Sequence, residues 1–378
     1  MNAGDLLSRC LRWFIVLVAL FVLVGAGPSR SIEVSHKLRI IHPGDPNSQP
    51  IPVTLVQSLD THGEPSAYHM WVDSVICREQ NCQVVKVKLH WNALGKYQRY
   101  EVAKGSKLTK LDHVPFTDAD HAKLQSILSD RNSPLMEVTK EGLTGPKSKG
   151  VDGVSGATVL TLKSNVVVGA GYCCYDLWHW ANGEVADIVR AQSGQRFSEA
   201  ALKKLLNSDK DAAISFALVH LRKRKLFDRE TAIAVARSMR RASDKLIDPA
   251  LTYLKAAAPN DAAYYDDIVI IFSDCSEEKR VHIITSLSDD KRIPKNVYDR
   301  LSSAMPKFNS HHELHLLLAL ITSRGAGSDE INQNAARLLK HKKFFVARRA
   351  YWYLKKQTLS PDVKAQVDAF HKKHRLRL

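Results

Sequence analysis

Asp152, Ser155, Gly156, Ala157 and Thr158, within the run VDGVSGAT, combine residue types and spacing suited to chemistry on a hydroxyl. Ser155 is a suitable N-cap and predicts a helix that begins inside the run. Thr158 then carries its hydroxyl on the first helical turn, open to a modifying enzyme. A helix N-terminus offers unpaired backbone N–H groups and a partial positive charge, both suited to a phosphate. Gly156 and Ala157 let a phosphate and an enzyme approach the backbone closely. An ordinary N-cap and glycine turn before a buried helix is the competing reading, but it does not account for the five positions together.

The run resembles the flavin-attachment signature of the FMN-binding domains in Na⁺-translocating NADH:quinone reductase and Rnf-type electron-transfer complexes. That pattern is Asp, two variable residues, Ser or Thr, then Gly-Ala-Thr, met here from Asp152 to Thr158. The resemblance implies that Thr158 is the acceptor of covalent FMN, joined as a phosphoester by a flavin transferase acting outside the cytoplasm. It implies a recognition or metal-binding role for Asp152 during that transfer, and a redox protein as partner. The match is close over the motif and loose over residues 70–183. The family's glycine-rich opening strands and Thr-Pro-Gly segment are not recognisable; Asp112–Phe116 (DHVPF) sits where that loop is expected without matching it.

Other residues invite chemistry more weakly. GYCCYDLWHWANG gathers Tyr172, Tyr175, Trp178, His179 and Trp180, useful for stacking on a flavin ring or simply a packed helix face. Cys173 and Cys174 suit redox work or a buried core. His311 and His315 in HHELH stand at i and i+4, a geometry that binds metals, with no third ligand evident. Cys77 and Cys82 flank a polar spacer between two β-rich arms, which predicts a hairpin stapled by a disulfide; redox use of the pair is the alternative.

The elements that must position these residues fall into two patterns. Residues 32–190 read as an α+β domain, a small antiparallel sheet plus helices. VVKVKLHW sets Val85, Val87 and Leu89 on one face against Lys86, Lys88 and His90. Thr117 with Asp120 predicts a capping box for a helix with Ala122, Leu124, Ile127 and Leu128 inside. The helix begun at Ser155 is expected to run on through Leu162, Val166, Ala170, Cys173 and Leu177 to a stop at Asn182-Gly183. From residue 191 to 378 the pattern is all-α: ten amphipathic segments, from SEAALKKLLN to PDVKAQVDAFHKKH, joined by short turns. These predict a HEAT-like helical-repeat domain (an α-solenoid), whose usual work is presenting a surface.

The N-terminal 1–31 reads as a targeting segment. Arg9 and Arg12 precede an apolar run, Trp13–Gly27, that suits a signal peptide or a retained membrane anchor. Both deliver the rest of the chain outside the cytoplasm, to a periplasm or cell surface. The 378 residues carry a net charge of +16, and Ile331–Leu378 holds thirteen Lys/Arg against two Asp/Glu. On an exported chain that end suits an anionic membrane surface or an acidic partner, not nucleic acid, while a solvated helix face is the plain alternative. The composite expectation is an extracytoplasmic flavoprotein that relays electrons, as a carrier or as a component of an oxidoreductase complex. A non-catalytic interaction scaffold built on the helical repeats is the alternative.

Overall fold

A computed structural model describes residues 32–42, 49–74, 84–140, 143, 164–258 and 260–378. The chain divides into two compact units, Met1–Phe197 and Ser198–Leu378. As the alternating and then helical patterns predict, the first unit is α+β and the second is all-α. Among the described residues no helix is long and apolar enough to cross a membrane; Trp13–Gly27 lies outside them.

The first unit is built on strands β1 (Ile32–Ile40), β2 (Ile51–Leu59), β3 (Pro65–Ser74), β4 (Val85–Asn92) and β5 (Tyr97–Val102). They form an antiparallel meander in chain order. Period-two alternation decides the faces: Val85, Val87, Leu89 and Trp91 of β4 are buried beside Tyr68, Met70 and Val72 of β3. Helices α1 (Asp118–Ser129), α2 (Gly171–Asn182) and α3 (Glu184–Arg196) contribute to one core with these side chains. On the opposite face Lys88 lies over the Trp71 ring and His69 stands beside His90.

Helix α1 begins with the capping box read from the sequence. Thr117 Oγ1 accepts from the Asp120 N–H at 3.3 Å, and the Asp120 carboxylate accepts from the Thr117 N–H at 2.9 Å. Sequence reading misses α3, whose apolar stripe is thin. A buried polar network nonetheless ties it to the sheet: Ser193 and Gln57 both donate to the Tyr68 hydroxyl, at 2.9 and 2.5 Å.

Among its described residues the second unit holds eleven α-helices: α4 (Glu199–Leu205), α5 (Asp211–Lys223), α6 (Arg229–Ser238), α7 (Ile247–Ala257), α8 (Asp261–Ser273), α9 (Glu277–Ser288), α10 (Lys295–Ser302), α11 (His311–Ser323), α12 (Asp329–Arg337), α13 (Phe344–Leu354) and α14 (Pro361–His374). Contacts join alternate helices into two layers: α6, α8, α10, α12 and α14 in one; α5 to α7, and α9, α11 and α13, in the other. The first layer's helices start 32–34 residues apart, a repeat of one helical hairpin. Side chains bridge successive repeats at the same interval. Lys307 Nζ donates to the Ser273 carbonyl at 2.7 Å, and Lys343 Nζ to the Asn309 carbonyl at 2.8 Å. The letters conceal this period because only caps and buried positions recur.

Helix α8 is absent from the ten segments expected. Its stripe, Tyr265, Ile268, Ile271 and Phe272, is interrupted by Asp267, which looks like a solvent position. Asp267 is instead buried, with Arg229 Nη1 2.6 and 2.7 Å from its two oxygens.

Candidate functional site

Asp152, Ser155, Gly156, Ala157 and Thr158 lie outside the described residues, as do Cys77 and Cys82. What the structure describes is the segment that follows the motif and the helix it leads into. The expected continuous helix is corrected here. Val166–Ala170 is a turn, and α2 begins only at Gly171. Gly169 adopts φ +77°, a left-handed conformation that ends any helix running through it. Its carbonyl accepts from the Leu111 N–H at 2.8 Å, and the Val167 N–H donates to Cys174 Sγ at 3.3 Å. Val166 and Val167 are buried, so this segment is pinned to the core. The stop is where the sequence places it: the Gly183 N–H closes onto the His179 carbonyl at 2.9 Å.

Helix α2 is largely enclosed. Cys173, Cys174, Tyr175, Asp176, Leu177, Trp178, Trp180 and Ala181 are all buried. The Trp178 indole donates to the Asp130 carbonyl at 2.7 Å, and Asn182 donates to the Leu128 carbonyl at 3.0 Å, fixing α2 against the end of α1. The Trp91 indole reaches the Ala181 carbonyl from the sheet at 2.7 Å. Most of the aromatic set is therefore core. Cys173 and Cys174 are free thiols without solvent access. Burial pushes the Cys173 thiol up to about 12 and raises Cys174 as well, which suits packing and not thiolate chemistry.

The group that sequence reading passed over is Asp176, the single carboxylate in α2. It has no solvent exposure, and Lys140 Nζ stands 3.0 Å from Oδ2. Burial raises its carboxyl above the usual aspartate range, against the pull of Lys140 and His42. Its Oδ1 has no hydrogen-bond partner among the described residues. Lys140 also lies 5.9 Å from the Tyr172 ring centroid. A charged residue at a helix position flanked on both sides by apolar ones was the available signal.

One turn further along, Trp180 and His179 line a cleft of about 270 Å³ with Ile40, His42, Glu184 and Val185. The His42 ring meets Trp180 edge-on at 5.2 Å, and the Trp180 indole N–H has no acceptor among the described residues. Burial lowers His179, whose Nε2 is 3.1 Å from the Leu135 carbonyl. The cleft thus brings the Trp180 indole and the His179 ring beside the Glu184 carboxylate, while Lys140 and Asp176 are paired with each other and are not among its lining residues.

In the second unit the HHELH histidines do not form a metal centre: no group of three candidate ligands occurs among the described residues. His311 lies against Phe345, while the intervening Glu313 is buried and ion-paired with Arg280. The basic end folds into α13 and α14, with Phe345, Trp352 and Leu376 exposed among its cations.

No protein-family model matches the chain, and no match was found among curated proteins or solved structures.

Proposed function

We propose that this chain is an extracytoplasmic electron-transfer flavoprotein, carrying FMN as a phosphoester on Thr158. The observation that carries this is the motif itself, with Asp152, Ser155, Gly156, Ala157 and Thr158 all in register behind an export segment. Attachment balances simply: Thr158 Oγ1 forms a bond to the FMN phosphorus of FAD, the pyrophosphate bond breaks, AMP leaves, and the hydroxyl proton passes to a base of the flavin transferase.

The described residues fit such a group in kind. Helix α2 offers Tyr172, with the Lys140 ammonium 5.9 Å from its ring centroid, and the indole N–H of Trp180, which has no acceptor among the described residues. Bound FMN supplies reversible one- and two-electron transfer. The protein's part is to hold that chemistry in an aromatic, partly enclosed setting and to present it to a redox protein. The helical-repeat unit supplies a docking surface, and its basic C-terminal helices suit an acidic partner or an anionic membrane surface.

The test is the intact mass of the protein after export alongside a flavin transferase. Wild type gains one FMN phosphoryl group and stays yellow when denatured, whereas Thr158→Ala gains nothing. A wild-type chain without flavin mass overturns the proposal. It leaves the second reading, a scaffold without cofactor, which the exposed aromatic and basic surface of α13 and α14 favours. On that reading partner capture is unchanged by Thr158→Ala and lost when the cations of α13 and α14 are neutralised.

A further inference from the structure

The second unit contains a built but unused set of donors. Helix α13 presents Arg349, Trp352 and Tyr353 on one side, and Lys356 continues that side one turn on. Their spacing of three and four residues stacks them along a single stripe. Ala319, Thr322 and Ser323 of the neighbouring α11 form the facing wall, and between them lies a cleft of about 480 Å³. Sites for small organic ligands span about 300–1,000 Å³.

The chemistry of this cleft is one-sided. Arg349 and Lys356 have no carboxylate within ion-pair distance among the described residues. The Arg349 Nε is buried without an acceptor among the described residues. The Tyr353 hydroxyl is likewise buried without a partner among them, in a residue only 3% exposed. Burial pushes its phenol up to about 12, so it stays an O–H donor at neutral pH. Gly327 lies close by: a Cβ there would stand 3.8 Å from the hydroxyl oxygen, in ordinary van der Waals contact, and 3.0 Å from Gln357 Oε1. Trp352, 40% exposed, supplies a flat face at the rim. The adjacent Arg348, by contrast, is occupied, its guanidinium 5.0 Å from the Phe345 ring centroid.

Desolvated donors without acceptors are costly, so a guanidinium and a phenol held this way call for an anion from outside. An aromatic rim adds a preference for a flat ring. We propose that the α11–α13 cleft binds a small organic anion bearing a phosphate or carboxylate next to a planar ring. Arg349 and Tyr353 donate to the anionic oxygens, Lys356 adds charge, and Trp352 stacks on the ring. This site is independent of the flavin on Thr158.

The experiment titrates the full chain with phenyl phosphate, benzoate, inorganic phosphate and phenol, following tryptophan fluorescence and thermal unfolding. Phenyl phosphate or benzoate should bind and stabilise the protein, inorganic phosphate more weakly and phenol least. Arg349→Gln should weaken binding about tenfold, the equivalent of one lost charge-assisted hydrogen bond. Tyr353→Phe should weaken it several-fold while leaving the unliganded protein as stable as wild type or more so, because the buried hydroxyl is removed. Trp352→Phe should abolish the fluorescence response. Absence of saturable binding by either ring-bearing anion overturns the proposal, as does equal binding by wild type, Arg349→Gln and Tyr353→Phe. The Tyr353→Phe arm keeps the test valid even if Arg349→Gln folds poorly.

Discussion

The Asp176 carboxylate and the Lys140 ammonium meet at 3.0 Å, the first with no solvent exposure and the second a quarter exposed. Removing Lys140 strands a buried charge, so Lys140→Met should cost about 3–5 kcal/mol at neutral pH. Lys140→Met combined with Asp176→Leu should recover most of that loss, because no charge remains. The sign with pH follows from the raised Asp176 carboxyl. A folded-state value above the unfolded one means that protonation favours the fold, so the Lys140→Met deficit should shrink as pH falls through the folded value. Urea unfolding at neutral and acidic pH checks this; a deficit independent of pH counts against it.

How far this pair was readable explains what sequence alone conveys. Alternation in VVKVKLHW places the sheet faces, and Thr117 with Asp120 places a helix start, because both depend on neighbours in the chain. Asp176 and Lys140 are 36 residues apart, and nothing local marks them as partners. Asp267 misleads for the same reason: its partner Arg229 lies a full repeat away. The helix expected from Ser155 onward fails at Gly169, whose left-handed turn is fixed by Leu111, at the start of a short 3-10 helix distant in sequence. The Asp152–Thr158 run is legible as letters, while the aromatic and charged groups of α2 come together only through the fold.

His90 gives a pH dependence of opposite sign. Burial lowers its imidazole from 6.5 to about 4, with Arg99 and Lys88 pushing the same way and Glu101, 3.2 Å from Nε2, opposing. A folded value below the unfolded one means that the unfolded chain takes up a proton first as pH falls. Stability should therefore decline between pH 6.5 and about 4, by on the order of 2 kcal/mol after allowance for partial exposure. His90→Gln should flatten that decline without changing stability much at higher pH. Chemical denaturation across this range, wild type against variant, is the measurement.

Across the helical repeats, Arg280 of α9 and Glu313 of α11 form a buried ion pair. The guanidinium also donates to the Cys275 carbonyl at 2.6 Å and lies 5.2 Å from the Phe308 ring centroid. A lysine cannot serve carboxylate, carbonyl and ring together, since it lacks the planar fork. Arg280→Lys should therefore lower stability by about 2 kcal/mol despite keeping the charge. Glu313→Gln should lower it too, leaving a guanidinium with half its partner. Because adjacent repeats stabilise one another through their interface, both should broaden the thermal transition as well as lower its midpoint. A calorimetric transition as sharp as wild type would show that this pair does not couple the repeats.

The repeat leaves a testable mark at two helix ends. Lys225 follows α5 with φ +55°, and Gly325 follows α11 with φ +58°. At both, the next residue's N–H reaches back to the same relative position: Leu226 to the Leu221 carbonyl at 2.9 Å, Ala326 to the Ile321 carbonyl at 3.0 Å. These are equivalent glycine-type caps, one occupied by lysine. Left-handed backbone costs a side chain about 1 kcal/mol, and glycine escapes that cost. Lys225→Gly should therefore stabilise the protein by up to about 1 kcal/mol, and Gly325→Lys should destabilise it by a similar amount. Urea midpoints decide it: opposite shifts support equivalent caps, whereas a loss of stability in Lys225→Gly would mean that the Lys225 side chain contributes more than its backbone strain costs.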